Sequence, residues 1–454
     1  MILQVALACT VAVVDVGAQA PERATGPPAG AAPAAASAAP GQAAAPQRFV
    51  RGYLVSRYWL RWTGDDSDQD LYEALSLDVG IEDRDAITGH FYGRVAGDLD
   101  GGTGGSTFFS ANDSIGGRVD GRVYDAYADL RRVPGLSRIR VGRQMIHETP
   151  ELAYFDGVAA ETQPITKGEL QVGVYGGVSS HLYESSASGD WTAGLYAQAR
   201  PWTGGRMRLD WMHLEDEVLL GAHNNDLFAA GFWQTIAQLQ LEGQYSRVEG
   251  RDRDVRTRLA YTDAQRDLMG QVTYYQLLRT QKDLVLELDP FFNALREEFP
   301  YWQAGALLDK GLSPHLHVLA GADVRRVADA GDIGAFNRDY ERWYATGSVR
   351  DLPVTGLSVS ATADFWHSDQ EDVRTWGAEV EQRFFDRTTI AAGSYYSLYK
   401  FDLFLNGERD HVRTYYARLQ HKPSPAVSVD LKYELEETDF DDFHVLRMGV
   451  TWHF

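Results

Sequence analysis

From Phe49 to Phe454 one texture repeats: short segments of alternating apolar and polar residues, separated by Gly, Pro and Asp. Val427, Val429, Leu431, Tyr433 and Leu435 interleave with Ser428, Asp430, Lys432 and Glu434. Leu239, Leu241 and Tyr245 stand against Gln238, Gln240, Glu242 and Gln244, and Leu357, Val359, Ala361, Ala363 and Phe365 against Ser358, Ser360, Thr362 and Asp364. Leu316, Val318, Ala320, Ala322 and Val324 do the same against His315, His317, Asp323 and Arg325. A period of two places the two sets on opposite faces of a β-strand. About 22 such segments fit residues 48–454, each near the ~9–11 residues that cross a bilayer as a tilted strand and longer than usual globular strands.

Connection lengths alternate as well. Tight turns are expected at Val133-Pro134-Gly135, Pro201-Trp202-Thr203-Gly204, Gly311-Leu312-Ser313-Pro314, Pro353-Val354-Thr355-Gly356 and Lys422-Pro423-Ser424-Pro425. Longer loops read near 99–117, 146–156, 179–190, 279–299, 327–341 and 401–409. Charge follows the division. Asp65, Asp66, Asp68, Asp70, Glu215, Asp216, Glu217, Asp369, Glu371, Asp372, Asp439, Asp441 and Asp442 read onto the long-loop side. Arg131, Arg132, Lys167, Arg200, Lys310, Arg350, Arg387 and Lys422 lie near the short turns, with Glu82-Asp83-Arg84-Asp85 as an exception. The sequence therefore predicts an all-β fold, a single antiparallel transmembrane β-barrel of about 22 strands, an even number between about 18 and 24.

Composition removes the main competitors. With 43 basic and 64 acidic residues and a net charge of −21, the chain lacks the basic surface that nucleic acid requires. Its single Cys excludes a disulfide framework and a thiolate zinc site. A mean hydropathy of −0.33, with no long apolar run in the body, excludes a bundle of membrane helices.

The first segment, residues 1–20, ends in Ala18-Gln19-Ala20 and reads as a signal peptide, although no Lys or Arg precedes its apolar core and Asp15 interrupts the end. Cys9 has Ala6 three positions before it, a poor match to a lipoprotein site. Residues 21–47, almost entirely Ala, Pro, Gly, Ser and Gln, read as a disordered periplasmic tether, and 48–454 as the barrel.

At the C-terminus Leu446, Met448, Val450, Trp452 and Phe454 alternate with Arg447, Gly449, Thr451 and His453. This resembles the last strand of Gram-negative outer-membrane β-barrels, in which a terminal Phe and upstream apolar residues at period two form the assembly signal. The resemblance implies outer-membrane lipid, lipopolysaccharide and the barrel-assembly machinery as partners, with both termini periplasmic. A second stretch, Tyr124-Asp125-Ala126-Tyr127-Ala128-Asp129-Leu130 followed by Val141-Gly142-Arg143-Gln144 and Phe155-Asp156-Gly157, is similar to alginate-export-like and other substrate-selective porins. It is too short to carry over a substrate.

A barrel of this size is too wide for side chains to fill. Alternation expects Arg57, Arg61, Arg94, Arg206, Arg208, Asp210, Arg256, Arg258, Arg325, Asp364, Glu379, Glu381, Arg413, Lys432 and Glu434 to line the lumen, where charge sets ion selectivity. Mixed solvated charge and a dedicated binding ladder both fit this inventory. Trp59, Trp62, Trp211, Trp233, Trp366 and Trp376 fall near strand ends, as interfacial girdle residues should.

Asp289 to Phe299 carries an Asp cap, a Pro at the first helical position and Phe291, Phe292, Leu295 and Phe299 at helical spacing, so it is expected to form a short helix, at the pore mouth or packed on other loops. Asp66, Asp68 and Asp70 are spaced like the start of a calcium loop, but Leu71 replaces the required Gly. His315 and His317 share a face without a third ligand, and Gly101-Gly102-Thr103-Gly104-Gly105 lacks the Lys-Ser/Thr of a phosphate cradle. No Ser sits in a G-x-S-x-G elbow, and no cofactor, metal site or catalytic group is indicated. The expected function is a water-filled porin for ions or small polar solutes. The alternative is a sheath around a periplasmic or extracellular multihaem cytochrome, which a chain without C-x-x-C-H could surround but not itself carry.

Overall fold

Twenty-two strands follow one another in chain order, each hydrogen-bonded antiparallel to the strand before it. They are β1 (Val50–Thr63), β2 (Asp66–Val79), β3 (Ile87–Asp98), β4 (Val119–Leu130), β5 (Leu136–Ile146), β6 (Ala153–Thr162), β7 (Gln171–Ser179) and β8 (Trp191–Ala199). Then come β9 (Gly205–Val218), β10 (Gly221–Ile236), β11 (Leu239–Val248), β12 (Arg251–Asp263), β13 (Leu268–Leu277), β14 (Tyr301–Gly311) and β15 (Leu316–Val327). The wall ends with β16 (Tyr340–Arg350), β17 (Leu357–Ser368), β18 (Asp372–Phe384), β19 (Thr388–Asp402), β20 (Gly407–Ser424), β21 (Val427–Glu437) and β22 (Asp442–His453).

This computed structural model describes residues 49–454 apart from 65, 101–117, 151–152, 166–167, 181–189, 219–220, 280–298, 333–337, 369–371, 403–406 and 439–440. The expected signal peptide, tether, glycine-rich segment 101–105 and most of the loop helix at 289–299 lie outside the described residues.

The wall closes where β22 returns to β1, from Tyr53 opposite His453 to Trp62 opposite His444. Gly52 and Phe454 complete the seam by exchanging backbone hydrogen bonds of 3.1 and 3.0 Å. A Cβ on Gly52 would lie 2.2 Å from the Ser76 carbonyl oxygen, so the close approach of β1 to β2 beside the seam needs glycine. Closure gives every strand a neighbour on both sides, which is what hydrocarbon demands of a sheet.

At the end where β1 begins and β22 finishes, the connections run from two residues to the eight between β6 and β7. Where Gln234 to Ala237 contain neither Gly nor Pro, β10 runs to Ile236 and a two-residue turn, Ala237-Gln238, begins with Ala237 at φ 52°. The turn expected at Lys422 to Pro425 is shifted: β20 continues through Pro423 to Ser424, and the turn is Pro425-Ala426. The register slips between His421 and Ser424, so the missing Pro423 N–H falls at an irregularity, where the ladder does not need it. In the β2–β3 turn, Asp85 accepts hydrogen bonds from Arg84 (2.9 Å) and the Ile81 amide (2.8 Å), and these hold its carboxyl below the usual range.

The opposite end carries the long connections, but not uniformly. β11 and β12 are joined there by Glu249 and Gly250 alone, at φ 49° and 72°, the pair of positive values that a tight hairpin turn uses. Asp66, Asp68 and Asp70, read from sequence as loop residues, belong to β2.

The ladder thins at two places. β4 and β5 pair only from Ala126 opposite Arg143 to Leu130 opposite Ile139, although β4 continues to Val119 along β3 and β5 to Ile146 along β6. β18 and β19 pair only from Ala378 opposite Ser394 to Phe384 opposite Thr388.

Candidate pore lining

Alternation sorts each strand into two faces. On β22, Leu446, Met448, Val450 and Trp452 point outward, the last three 42%, 44% and 49% exposed, while Val445, Arg447 and Gly449 are covered on the inner side. The same division makes Leu209, Val272, Trp343, Val380 and Leu431 an outer apolar surface and leaves Arg208, Asp210, Asp364 and Glu434 inside. Of the residues expected to line the lumen, Arg57, Arg61, Arg94, Arg206, Arg208, Asp210, Arg256, Arg258, Arg325, Asp364, Glu379, Glu381, Lys432 and Glu434 all lie on the inner faces of their strands.

Arg413 does not. It shares the outer face of β20 with Tyr415 and lies opposite Tyr396. Its guanidinium sits 4.7 Å from the Trp376 ring and 5.3 Å from Tyr396, and donates to the Trp376 carbonyl and to Thr375 Oγ1 (3.0 Å). The reason is the gap between β18 and β19: a strand carbonyl that lacks a ladder partner is costly in hydrocarbon, and an arginine supplies the missing donor.

Around the closing seam the inner face is a chain of cations and rings. Arg61 pairs with Asp68 and, at 2.6 Å, with Asp70. Trp59 packs edge-on against Tyr72 at 5.0 Å, with Ala96 beside them. Arg94 lies over Tyr72 at 5.2 Å and over Tyr124 at 6.0 Å, and Arg447 over Trp59 at 5.1 Å. Glu434, with no solvent exposure, takes Arg447 at 2.7 Å, Lys432 at 3.0 Å and the Tyr395 hydroxyl at 3.3 Å.

A second cluster forms where the β5–β6 connection reaches into the lumen. Glu148 bridges Arg206 (2.6 Å) and Arg208 (3.0 Å); Arg208 also binds Asp210 at 2.8 Å and lies over Tyr196 at 4.0 Å. Farther along, Arg253 donates to the Pro150 carbonyl at 3.3 Å. Ala153, Phe155, Tyr175, Met212, Leu227 and Val248 form a covered apolar cluster on the same inner faces. Among the described residues, the β5–β6 connection thus reaches inward.

The remaining inner faces repeat the pattern. Arg258 binds Glu242 (3.0 Å) and Gln271 (3.0 Å), and Arg256 binds Asp254 (3.0 Å) and lies over Tyr275. Arg325 lies 3.7 Å from the Tyr301 ring. Arg342 forks onto Asp364 at 3.0 and 2.5 Å between Tyr344 and Trp366. Arg418 binds Glu381 (3.0 Å), and the Tyr416 hydroxyl donates to Glu379.

Three of the six tryptophans expected in the girdle therefore face inward. Trp59, Trp233 and Trp366 lie under Arg447, Arg206 and Arg342, while Trp62, Trp211 and Trp376 are on the outer face. A wet, arginine-rich interior accepts a ring because the guanidinium is attracted to its face, a contact worth about 0.5–2 kcal/mol. The signal was present: Trp59 lies two residues from both Arg57 and Arg61, hence on their face. Glu148, Arg342, Arg418 and Arg447 were missed; the last three could have been found from the same parity, whereas nothing in the sequence folds Glu148 inward.

His315 and His317 are not brought together. His315 is hydrogen-bonded to the Arg350 carbonyl (3.0 Å), and His317 pairs with Asp309 (2.6 Å). No cluster of three or more metal-ligating residues occurs among the described residues.

No protein-family profile matches the chain, and no curated protein sequence does. Among solved structures it is similar to the P pilus usher (PapC) translocation pore, at 8% identity and a TM-score of 0.50, over 89% of this chain and 99% of that one. It is also similar to OccK3 (OpdO) of Pseudomonas aeruginosa, at 16% identity and a TM-score of 0.44 over 89% and 95%. The outer-membrane protein OpdK of Pseudomonas aeruginosa matches at 12% identity and a TM-score of 0.44, over 89% and 98%. At these identities the likeness is one of fold.

Proposed function

We propose that this chain is an outer-membrane porin, a water-filled pore for the diffusion of ions or small polar solutes. One observation carries the reading: the closed wall is apolar at outward positions and arginine-, carboxylate- and tyrosine-lined at inward ones. Such a cylinder is soluble in hydrocarbon outside and wettable inside. Because its inner charges are largely paired, the lumen presents alternating local fields more than one sign of charge. A permeating ion then exchanges hydration for successive weak contacts, which favours passage over capture. The start of β1 and the end of β22 lie at the end with the shorter turns, which in such barrels faces the periplasm, and the long connections would face outward. Leu446, Met448, Val450, Trp452 and Phe454 present the assembly machinery with an apolar stripe, and the outer surface meets lipid and lipopolysaccharide. No residue is assigned a catalytic role.

Reconstitution into planar bilayers tests the reading. Stepwise ohmic conductance from the purified chain alone is the expected result. A barrel that inserts and stays non-conducting at all potentials sinks it, and leaves the sheath around a partner protein such as a multihaem cytochrome.

A further inference from the structure

The residues similar to substrate-selective porins converge where the wall is thinnest. Above Ala126 and Arg143 the ladder between β4 and β5 stops, and both strands carry on with only one neighbour each. Two local features cause the fork. In β4 the register with β3 slips at Tyr92/Gly93, so that Tyr124 and Asp125 both turn to the inner side; a bulge of this kind re-aims a strand and ends pairing. In β5, Gly142 sits at φ 127°, and a Cβ there would lie 2.2 Å from the Ala126 carbonyl oxygen.

Side chains replace the lost ladder. Arg143 Nη1 donates to the Val123 carbonyl at 2.9 Å, and the Tyr154 hydroxyl reaches the Tyr124 carbonyl at 2.7 Å. Asp156 holds the Arg143 guanidinium at 2.8 and 2.7 Å. This ion pair lies on the outer face, between Val141 and Val158, which are 43% and 46% exposed. A closed barrel has no need of a charged pair in its apolar surface, and backbone pairing would satisfy the same carbonyls at less cost. Backbone ladders open only with the strand, whereas a side-chain clasp releases by rotation about a few bonds. On the inner side the fork gives onto the Tyr92–Tyr124 stack (5.3 Å) with Arg94 over it.

Resting on the reading of a membrane-spanning pore, we propose that the β4–β5 fork is a lateral portal, clasped by Arg143, Asp156 and Tyr154. Through it an amphiphile with an anionic head passes between the lumen and the surrounding lipid. The outer lips are apolar for its tail, and Arg94 with the two rings receives its head.

The test uses proteoliposomes of the full chain with Cys9→Ala and one new inner-face cysteine. Asp125→Cys stands at the fork and Gln271→Cys on the inner face of β13, away from it. An N-hexadecyl maleimide dissolved in the bilayer is compared with a charged, water-soluble maleimide. The expected result is lipid-borne labelling at position 125 at least tenfold faster than at 271, with similar labelling of both from water. In the charge-neutral clasp variant R143Q/D156N, lipid-borne labelling at 125 rises a further several-fold while that at 271 stays unchanged. Equal lipid-borne rates at the two positions, or no response to the clasp variant, overturn the portal. Conductance of the same preparations is read in parallel, so failure of the pore and failure of the portal are separate outcomes.

Discussion

Charge inside this barrel is organised residue by residue as pairs, and Glu434 is the extreme case. Fully covered, it serves Arg447, Lys432 and Tyr395 at once. Removing one partner of a covered pair leaves the other charge without compensation, which typically costs about 3 kcal/mol or more. Glu434→Ala is expected to lower stability by about that amount, and Glu434→Gln, which keeps acceptors in place, by less; urea unfolding in detergent micelles measures both. An unchanged midpoint for Glu434→Ala means that lumen water solvates the freed cations. At this scale, parity along a strand was enough to place most lumen charges, since one outward apolar neighbour fixes a whole strand. It failed at Arg413, where a gap in the ladder, invisible in the alternation, recruits a cation to the apolar face.

At the scale of elements, strands were far more legible than their joints. A strand announces itself through a dozen residues that must obey one period, whereas a turn depends on two or three dihedrals that several sequences satisfy. The number of strands was accessible from spacing; the turn at Ala237-Gln238, which has neither Gly nor Pro to mark it, the run of β20 through Pro423 and the forks above Ala126 and Ala378 were not. Asp85 offers a test on a joint. Its carboxyl is held below the ordinary value of 3.8 by Arg84 and the Ile81 amide, so the folded turn binds its proton less readily than the unfolded chain. Its stabilising contribution is therefore complete above the ordinary carboxylate range and fades as pH falls below it, through the lowered value. Amide exchange at Ile81 should accelerate on acidification in that window beyond the intrinsic trend, and Asp85→Asn should remove the excess. A pH-independent protection of Ile81 would show that the backbone alone holds the turn.

At the scale of the molecule, the barrel is one cooperative object whose integrity rests on a seam between distant residues. Deleting Phe454 removes the backbone exchange with Gly52 and the last outward apolar position. The expected outcome is a large loss of heat-resistant, folded barrel in the membrane fraction, read from gel mobility before and after boiling; normal yield would relieve Phe454 of any part in assembly. The seam also sets an order in time. Tyr53 must find His453, 400 positions later, so nothing can close until almost all of the described wall has been synthesised and every other strand has found its neighbour. Until that moment the growing sheet carries two unpaired edges, each a template for the wrong chain. A ribosome that stops short of β22 produces no smaller pore, only an open sheet, so chain termination anywhere in the wall is equivalent to its absence.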